Sequence, residues 1–294
     1  HNITGPLPPE IANLTNMRSM IFERNHITNP LPNTLPLMSK LTFLDLAMNR
    51  LWEIFPSWLC TLPAIETFDF HDNFLRGTLP AECYNMITLI SFDVSSNFLD
   101  GTISDAIRNL TSLQSLQLGE NTFNGTLPET IQFMTNLTVL DFSLTTFDGG
   151  FPSWIYNMTW LTGLSFGYND CNGSFPAEIG NLKELKVLDF ESNQFSGPFP
   201  EVLFSLTQLE QLDMSFNLFT STIPDSIAIL RHLKYFYASG NLFEGQFPCA
   251  SLAQMTNMSI LNIRNLLLNG TMDGCFVASS NITEESIENN MLSG

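Results

Sequence analysis

The sequence predicts an α/β solenoid, a stack of short coils with a parallel β-sheet on the concave face and 3₁₀ or loop segments on the convex face. Three observations predict it. Asn recurs at positions 25, 49, 73, 97, 121, 169, 193, 217 and 241, a period of 24 residues in which Thr145 fills the gap and His1 shares the phase. Apolar residues stand eight, five and three positions before each Asn, as Leu113, Leu116 and Leu118 do before Asn121. Gly and Pro return in phase after it, as in Gly125 and Pro128. A unit this short cannot bury its own leucines, but units stacked on one another bury them in a continuous column.

Each part of the unit L-x-x-L-x-L-x-x-N-x-F-x-G-x-L-P-x-x-I-x-x-L-x-x has a physical reading. The alternation around the second and third Leu has the period of a short strand. A buried Asn pairs backbone groups of its own coil and the next, because interior polar backbone must be bonded. Gly permits a tight or left-handed turn. Pro fixes φ for a loop and is excluded from a central strand. The last third has room for a turn or two of 3₁₀ helix. After Pro248 the register slips by one and Leu266 takes the Asn slot.

On these residues, and on segments such as Asn121-Thr122-Phe123-Asn124-Gly125-Thr126-Leu127-Pro128, the chain resembles the leucine-rich repeat family. The match is to its 24-residue, plant-type subclass, found in receptor-like proteins and in algal and diatom relatives. The resemblance covers residues 1 to about 276 and implies a right-handed coil of about 11–12 turns. Residues 277–294 turn polar and are expected to be a capping segment or the start of a linker. The chain opens in mid-repeat with no cap before the first coil and no secretion signal, so a further segment or subunit is expected to cover that end.

Departures from the unit carry their own expectations. Phe123, Phe147, Phe195, Phe219 and Phe243 share one core slot, which Cys171 interrupts. Thr145 substitutes only partly for Asn. Asn29, Glu53 and Ser221 replace the turn Gly and imply altered turns.

Composition excludes several functions. The chain is 44% hydrophobic but only 14% charged, and 29 acidic against 11 basic residues give a net charge of −18. Nucleic acid and anionic lipid both demand clustered Lys and Arg, so neither is an expected partner. No apolar run reaches the ~18 residues of a membrane span. The histidines, at 1, 26, 71 and 232, are scattered over different coils. Gly163-Leu164-Ser165-Phe166-Gly167 matches a hydrolase elbow in letters, but Leu164 and Phe166 fall in core slots of a strand, whereas the elbow needs a strand, a sharp turn and a helix. No catalytic residue, cofactor or metal site is expected. The one cation alternative is the outward row Asp45, Asp69, Asp93, Asp141, Asp189 and Asp213. Its stacked carboxylates are also accounted for by local hydrogen bonds and water.

Ten N-x-S/T sequons, at Asn2, Asn13, Asn109, Asn124, Asn136, Asn157, Asn172, Asn257, Asn269 and Asn281, are expected to face solvent and several of them to carry glycans. Cys249 and Cys275 fall on neighbouring coils and are the favoured disulfide. Cys60 and Cys83 are a less favoured pair, because Cys83 sits in a core slot. Cys171 is expected to be an inert core thiol.

Outward slots of the concave strands carry Leu144, Tyr168, Phe216, Tyr235 and Tyr237, with Phe43 and Met48 nearer the start. Aromatic groups that cannot reach the core suggest a contact surface. Glu120 and Glu191 beside them suit a basic peptide. The resulting expectation is a non-catalytic, extracellular, glycosylated module that recognises a protein, peptide or glycan, receptor-like or adhesive. The alternative is a structural glycoprotein of a matrix, wall or filament that self-associates through its uncapped end.

Overall fold

The computed structural model describes residues 2–147, 151–271 and 281–293. The chain forms two compact units, His1–Trp154 and Ile155–Gly294. Among the described residues, no helix is long and apolar enough to cross a membrane.

In the first unit the predicted strands are Ser19–Ile21, Phe43–Asp45, Thr67–Asp69, Ser91–Asp93, Ser115–Gln117 and Val139–Asp141. Each pairs in parallel with the next at a spacing of 24, so that Leu44 faces Phe68 and Phe68 faces Phe92. The middle residue of each strand points inward, and Leu44, Phe68, Leu116 and Leu140 are fully buried. The second unit pairs Gly163–Ser165, Val187–Asp189, Gln211–Asp213, Tyr235–Tyr237, Ile260–Asn262 and Glu284–Ser286 in the same parallel way, with a step of 25 from Tyr235 to Ile260 and an exposed Glu285 in the last strand.

The Asn ladder joins each coil to the preceding coil rather than the following one. Asn121 donates through Nδ2 to the carbonyls of Leu118 and Gly119 in its own coil (both 3.1 Å) and of Val94 (2.9 Å), while its Oδ1 accepts the Leu99 N–H at 2.9 Å. Four backbone groups are thereby paired by one buried side chain. Thr145 donates its hydroxyl to Phe142 O at 2.9 Å, taking over one of these bonds.

Beyond the Asn, the structure has more order than the expected glycine turn and loop. Arg76–Thr78, Phe98–Gly101 and Thr122–Phe123 form a second parallel ladder on the flank of the first unit. Asn172–Ser174, Gln194–Pro198 and Leu218–Thr220 form another in the second unit, as do Glu244–Gln246, Leu267–Thr271 and Met291–Ser293. Coils of equal length bring the same extended residues side by side, and that suffices for pairing. Gly101 shows why the slot is glycine: its φ is +75°, and a Cβ there would stand 2.6 Å from Thr78 Cγ2. Ser221 keeps the left-handed turn at φ +66°, so the expected alteration does not occur there. It does occur at Glu53, where the ladder shrinks to the single bridge Ile54↔Arg76.

The 3₁₀ helices follow Pro in most coils. The Pro carbonyl accepts the first i→i+3 bond, as in Ile131 N–H to Pro128 O and Leu203 N–H to Pro200 O. After Pro248 the segment is instead the α-helical turn Cys249–Leu252, with Leu252 N–H bonded to Pro248 O. An α turn holds more residues than a 3₁₀ turn, so this coil absorbs the one-residue slip and keeps Leu252 and Met255 buried. The period then continues past 276. Asn290 takes the ladder slot, accepting from Leu268 N–H and donating to Ile263 O. The described part of the expected cap or linker is therefore a further coil in register, polar at Glu285 where Leu261 lies in the coil before it.

Phe123 and Phe147 stack 6.3 Å apart at 6°, and Phe219 and Phe243 at 6.2 Å and 6°, as one shared slot requires. Beside the smaller Cys171, Phe175 supplies the missing bulk, its ring 4.4 Å from Phe190 and 5.2 Å from Phe195. Cys171 is a buried free thiol, pushed up to about 11 by burial and then by Asp170. Cys60 and Cys83 form a disulfide across adjacent 3₁₀ helices, Cα–Cα 4.6 Å. The less favoured pair is thus made: the core slot of Cys83 lies close enough to Cys60 on the preceding coil. Cys249 is disulfide-bonded; its expected partner, Cys275, lies outside the described residues.

Candidate functional site on the strand faces

The outward slots of each strand have different duties. The Asp four residues before the Asn is structural: its Oδ1 accepts the N–H two residues on. These bonds run from Ala47 to Asp45 (3.0 Å), Ser95 to Asp93 (2.9 Å), Ser143 to Asp141 (2.9 Å), Glu191 to Asp189 (3.0 Å) and Ser215 to Asp213 (2.9 Å). The residue immediately before the Asn is always left-handed, with φ +53° at Met48, +45° at Leu144, +54° at Tyr168 and +51° at Phe216. Bulky side chains disfavour that region by about 1–2 kcal/mol. Leu144, Tyr168 and Phe216 nevertheless occupy it, and all three are nearly half exposed.

In the first unit, His71 lies among the carboxylates. Its Nδ1 is 2.8 Å from Asp69 Oδ1 and 3.9 Å from Asp93 Oδ2. Burial pushes this imidazole down, but its hydrogen bond to Asp69 and the fields of Asp69, Asp93 and Asp45 outweigh burial and hold it above the ordinary histidine value. Leu144 belongs to this unit and lines a groove of about 360 Å³ with Phe74, Phe98 and Glu120. Phe74 and Phe98 stack 6.2 Å apart and are about half exposed. Reading only the concave strands missed them. Their sequence signal was the slot one residue after the Asn, which in the second unit carries Leu218, Leu242, Leu267 and Met291, all exposed.

In the second unit, the strand face gathers Tyr168, Phe216, Tyr235 and Tyr237. Tyr168 donates its hydroxyl to Glu191 Oε1 at 3.0 Å. Phe216 lies over Gly240, where a Cβ would stand 2.5 Å from its ring. Tyr237 faces Asp213 in register, and Tyr235 faces Gln211. Asp189, Glu191 and Asp213 bring carboxylate oxygens within 4.8 Å of one another. Burial first, then Asp189 and Glu191, push Asp213 up to about 7 against the Ser215 backbone bond. Burial and then Asp213 raise the Tyr237 hydroxyl.

Ser165 remains on a strand between buried Leu164 and Phe166, with no helix after it, so the hydrolase-like letters form no elbow. All ten sequon asparagines are exposed. In Asn136, Asn257 and Asn281 the side-chain amide already donates to a carbonyl of the preceding coil.

The family model described as "Leucine-rich repeat region" matches residues 97–271, and "Leucine Rich Repeat" matches 40–62. No curated protein matches the chain. Among solved structures, a TDR receptor superposes with a TM-score of 0.78 at 32% identity, over 99% of this chain and 50% of that one. A Leptospira interrogans leucine-rich repeat protein gives 0.77 at 29% identity, over 98% and 70%. The Arabidopsis receptor kinase HAESA, in complex with the peptide hormone IDA and the co-receptor SERK1, gives 0.69 at 25%, over 100% and 57%. The chain thus spans about half the length of the TDR receptor structure it matches. With its 24-residue period, Asn ladder and L-P turns, the chain belongs to the leucine-rich repeat family and is of the plant-receptor type.

Proposed function

We propose that this chain is an extracellular ligand-binding module that recognises a peptide or protein on its strand faces. Tyr168, Phe216, Tyr235 and Tyr237 supply the contact in the second unit, and Leu144 in the first. The observation that carries this reading is the placement of bulky apolar groups at half-exposed, left-handed positions, where Asn or Gly would cost less. A large ring kept at such a position has its use outside the fold. Structures of the similar receptor kinase HAESA with a peptide hormone support a peptide as ligand. The Cys60–Cys83 disulfide supports an oxidising compartment. The exposed sequons, Asn2, Asn13, Asn109, Asn124, Asn136, Asn157, Asn172, Asn257, Asn269 and Asn281, are the proposed glycan carriers. Enzymatic deglycosylation of the secreted protein, read by mass spectrometry, tests them.

Selection from a display library of random linear peptides tests the site. Binders to the wild type should be lost on the triple substitution Tyr168→Ser, Phe216→Ser, Tyr237→Ser, while circular dichroism shows an unchanged fold. Binders indifferent to that substitution, or no binders at all, would remove the site assignment. The row Leu218, Leu242, Leu267 and Met291 on the flank favours a second reading, self-association into a structural assembly. Light scattering on the purified protein decides it: a monomer at all concentrations excludes assembly through this chain.

A further inference from the structure

The register of the flank ladder in the second unit sets one of the proposed glycan carriers against an apolar surface. The slot one residue after the ladder position is apolar and exposed there, at Leu218, Leu242, Leu267 and Met291. Parallel pairing sets Leu218 beside Ser196, Leu267 beside Glu244 and Met291 beside Asn269. Asn269 opens the sequon Asn269-Gly270-Thr271. Leu268, between Leu267 and Asn269, is fully buried, so the alternation of the strand turns both of its neighbours to the outer face. Asn269 thus has Leu267 two residues back on its own strand, about 7 Å away, and Met291 in register on the next strand, about 5 Å away. Leu267 and Met291 are 46% and 59% exposed, so both present apolar surface to whatever Asn269 carries.

The repeat supplies its own contrast. Asn124, Asn172 and Asn269 occupy the same flank slot of different coils. Two residues before Asn124 stands Thr122, and two before Asn172 stands Asp170. The register partner of Asn172 is Gln194, whose amide donates to Asp170 Oδ1 at 3.2 Å. A sugar on Asn172 would lie among polar groups that water satisfies equally well. Of the three, Asn269 is the one with an apolar side chain both two residues before it and in register beside it. Its amide also differs from those of Asn136, Asn257 and Asn281, which donate to carbonyls of the preceding coil. Among the described residues, the Asn269 side chain makes no such bond.

We propose that an N-glycan on Asn269 lies over Leu267 and Met291 and closes this flank to a second copy of the chain. This rests on the glycan assignment made above. The first sugar of such a chain, an N-acetylglucosamine, has a ring face of C–H groups, an acetamide methyl and a rim of hydroxyls. Laid on Leu267 and Met291, it removes apolar area from water while its hydroxyls stay hydrated. Successive strands stand about 4.8 Å apart, so later sugars of one branched chain reach the neighbouring coils as well. Without the sugar, the apolar row is a surface of the kind that joins protein copies. The net charge of −18 does not protect the row by itself, because salt screens it beyond about 8 Å at physiological ionic strength.

Peptide mass spectrometry of the secreted protein should find Asn269 glycosylated. Dilute hydrogen peroxide then reads the cover directly, because it converts a methionine to the sulfoxide as fast as it can reach the sulfur. Met291 should be oxidised about threefold faster in Asn269→Gln than in the wild type, with the partly exposed Met48 of the first unit unchanged as the reference. In light scattering at physiological salt, Asn269→Gln should associate as its concentration rises, and the wild type should stay monomeric. Adding Leu267→Ser and Met291→Ser to Asn269→Gln should restore the monomer. The change of Asn to Gln at any other sequon found to carry sugar should move neither readout. An unmodified Asn269 beside glycans at other sequons overturns this inference and leaves the glycan assignment standing; no glycan at any sequon overturns both. Equal Met291 rates, or an Asn269→Gln protein that stays monomeric, overturn the inference too. Equal association on losing another glycan also overturns it, because general loss of solubility rather than the flank would be responsible.

Discussion

Asp69 and Asp93 in the first unit share the imidazole of His71, whereas in the second Glu191 follows Asp189 by two residues and Tyr237 stands in register with Asp213. The backbone device beneath both rows is identical: each Asp accepts the N–H two residues on. What the repeat demands is therefore the Asp–N–H bond, and what distinguishes the units is the pair of residues that follows the Asp slot, His71 and Asp72 in one place and Glu191 and Ser192 in another. One row is neutralised from within. In the other, Tyr168 donates its hydroxyl to Glu191. Specificity in such a fold lives in slots the fold does not need, which is why two units with the same core need not bind the same chemistry.

The largest expected difference between the units concerns their cysteines. Cys60–Cys83 closes a loop with a sequence separation of 23, for which loop entropy gives a stabilisation of about 3 kcal/mol. The double substitution Cys60→Ser, Cys83→Ser should therefore lower the urea midpoint of the first unit clearly. Cys171→Ala in the second unit should cost no more than about 1 kcal/mol, the loss of a small buried group. Cys171 should also resist maleimide in the native protein, because burial holds its thiol up to about 11. Rapid native labelling of Cys171, or a larger loss from Cys171→Ala than from the disulfide, would reverse the comparison.

Acidity offers a finer test, because both rows shift in the same direction through different groups. Asp213 is raised from 3.8 to about 7, so the folded state holds more protons than the unfolded state over that interval. Its contribution is present at low pH and is lost as pH rises through about 7. Asp45, Asp93 and Asp141 are raised as well, burial first in each. His71 is raised too, so its contribution is full below its unfolded value and is lost as pH rises through the folded one. Stability should therefore fall from about pH 4 to about pH 7 as Asp213 ionises, and further above the ordinary histidine value as His71 loses its proton. Asp213→Asn, whose amide oxygen still accepts the Ser215 N–H, should gain about 1–2 kcal/mol at pH 8, after discounting for the solvent that reaches the group, and almost nothing near pH 4. His71→Asn should flatten only the upper part of the profile. Chemical denaturation across this range measures both, and a gain from Asp213→Asn that is larger in acid would show that the carboxylate is not the strained form.

Much of this was legible before any coordinates. The 24-residue phase of Asn121 and its equivalents, the inward alternation of Leu116 and Leu118, and the Pro-led 3₁₀ turns all follow from hydrophobic period and backbone satisfaction, which are local properties. The aromatic positions Tyr168, Phe216 and Tyr237 were legible for the same reason: phase alone sends them outward. The flank ladders were not, because glycine after an extended residue reads as a turn whether or not its neighbours on the next coil pair with it. The bond between Cys60 and Cys83 was legible only as the less favoured pair, because a separation of 23 rather than 24 changes which atoms meet. The continuation at Asn290 was obscured by the slip after Pro248, which an α turn absorbs without disturbing the stack. His71 between Asp69 and Asp93 was present in the letters, but its alignment with the carboxylates depends on side-chain geometry within adjacent coils.

The smallest expected effect tests how the second unit holds its ring. Gly240 adopts φ +65°, and a Cβ would stand 2.5 Å from Phe216 Cδ1 and 2.8 Å from Cε1. Gly240→Ala therefore costs about 1 kcal/mol for the left-handed backbone and pushes the Phe216 ring off its seat. A ring half exposed at the end of a side chain can swing away, so most of the steric cost is avoidable and the melting temperature should drop by only a few degrees. Binding is less forgiving: a contact ring displaced by more than an ångström no longer meets the same ligand surface. Peptides selected on the wild type should thus lose affinity on Gly240→Ala by more than the stability loss accounts for. Ser221, in a flank turn of the same unit, supplies the contrast, since Ser221→Gly relieves a left-handed residue outside the contact set. If Ser221→Gly weakened binding as much as Gly240→Ala, backbone stiffness rather than the seat of Phe216 would be what the ligand reads.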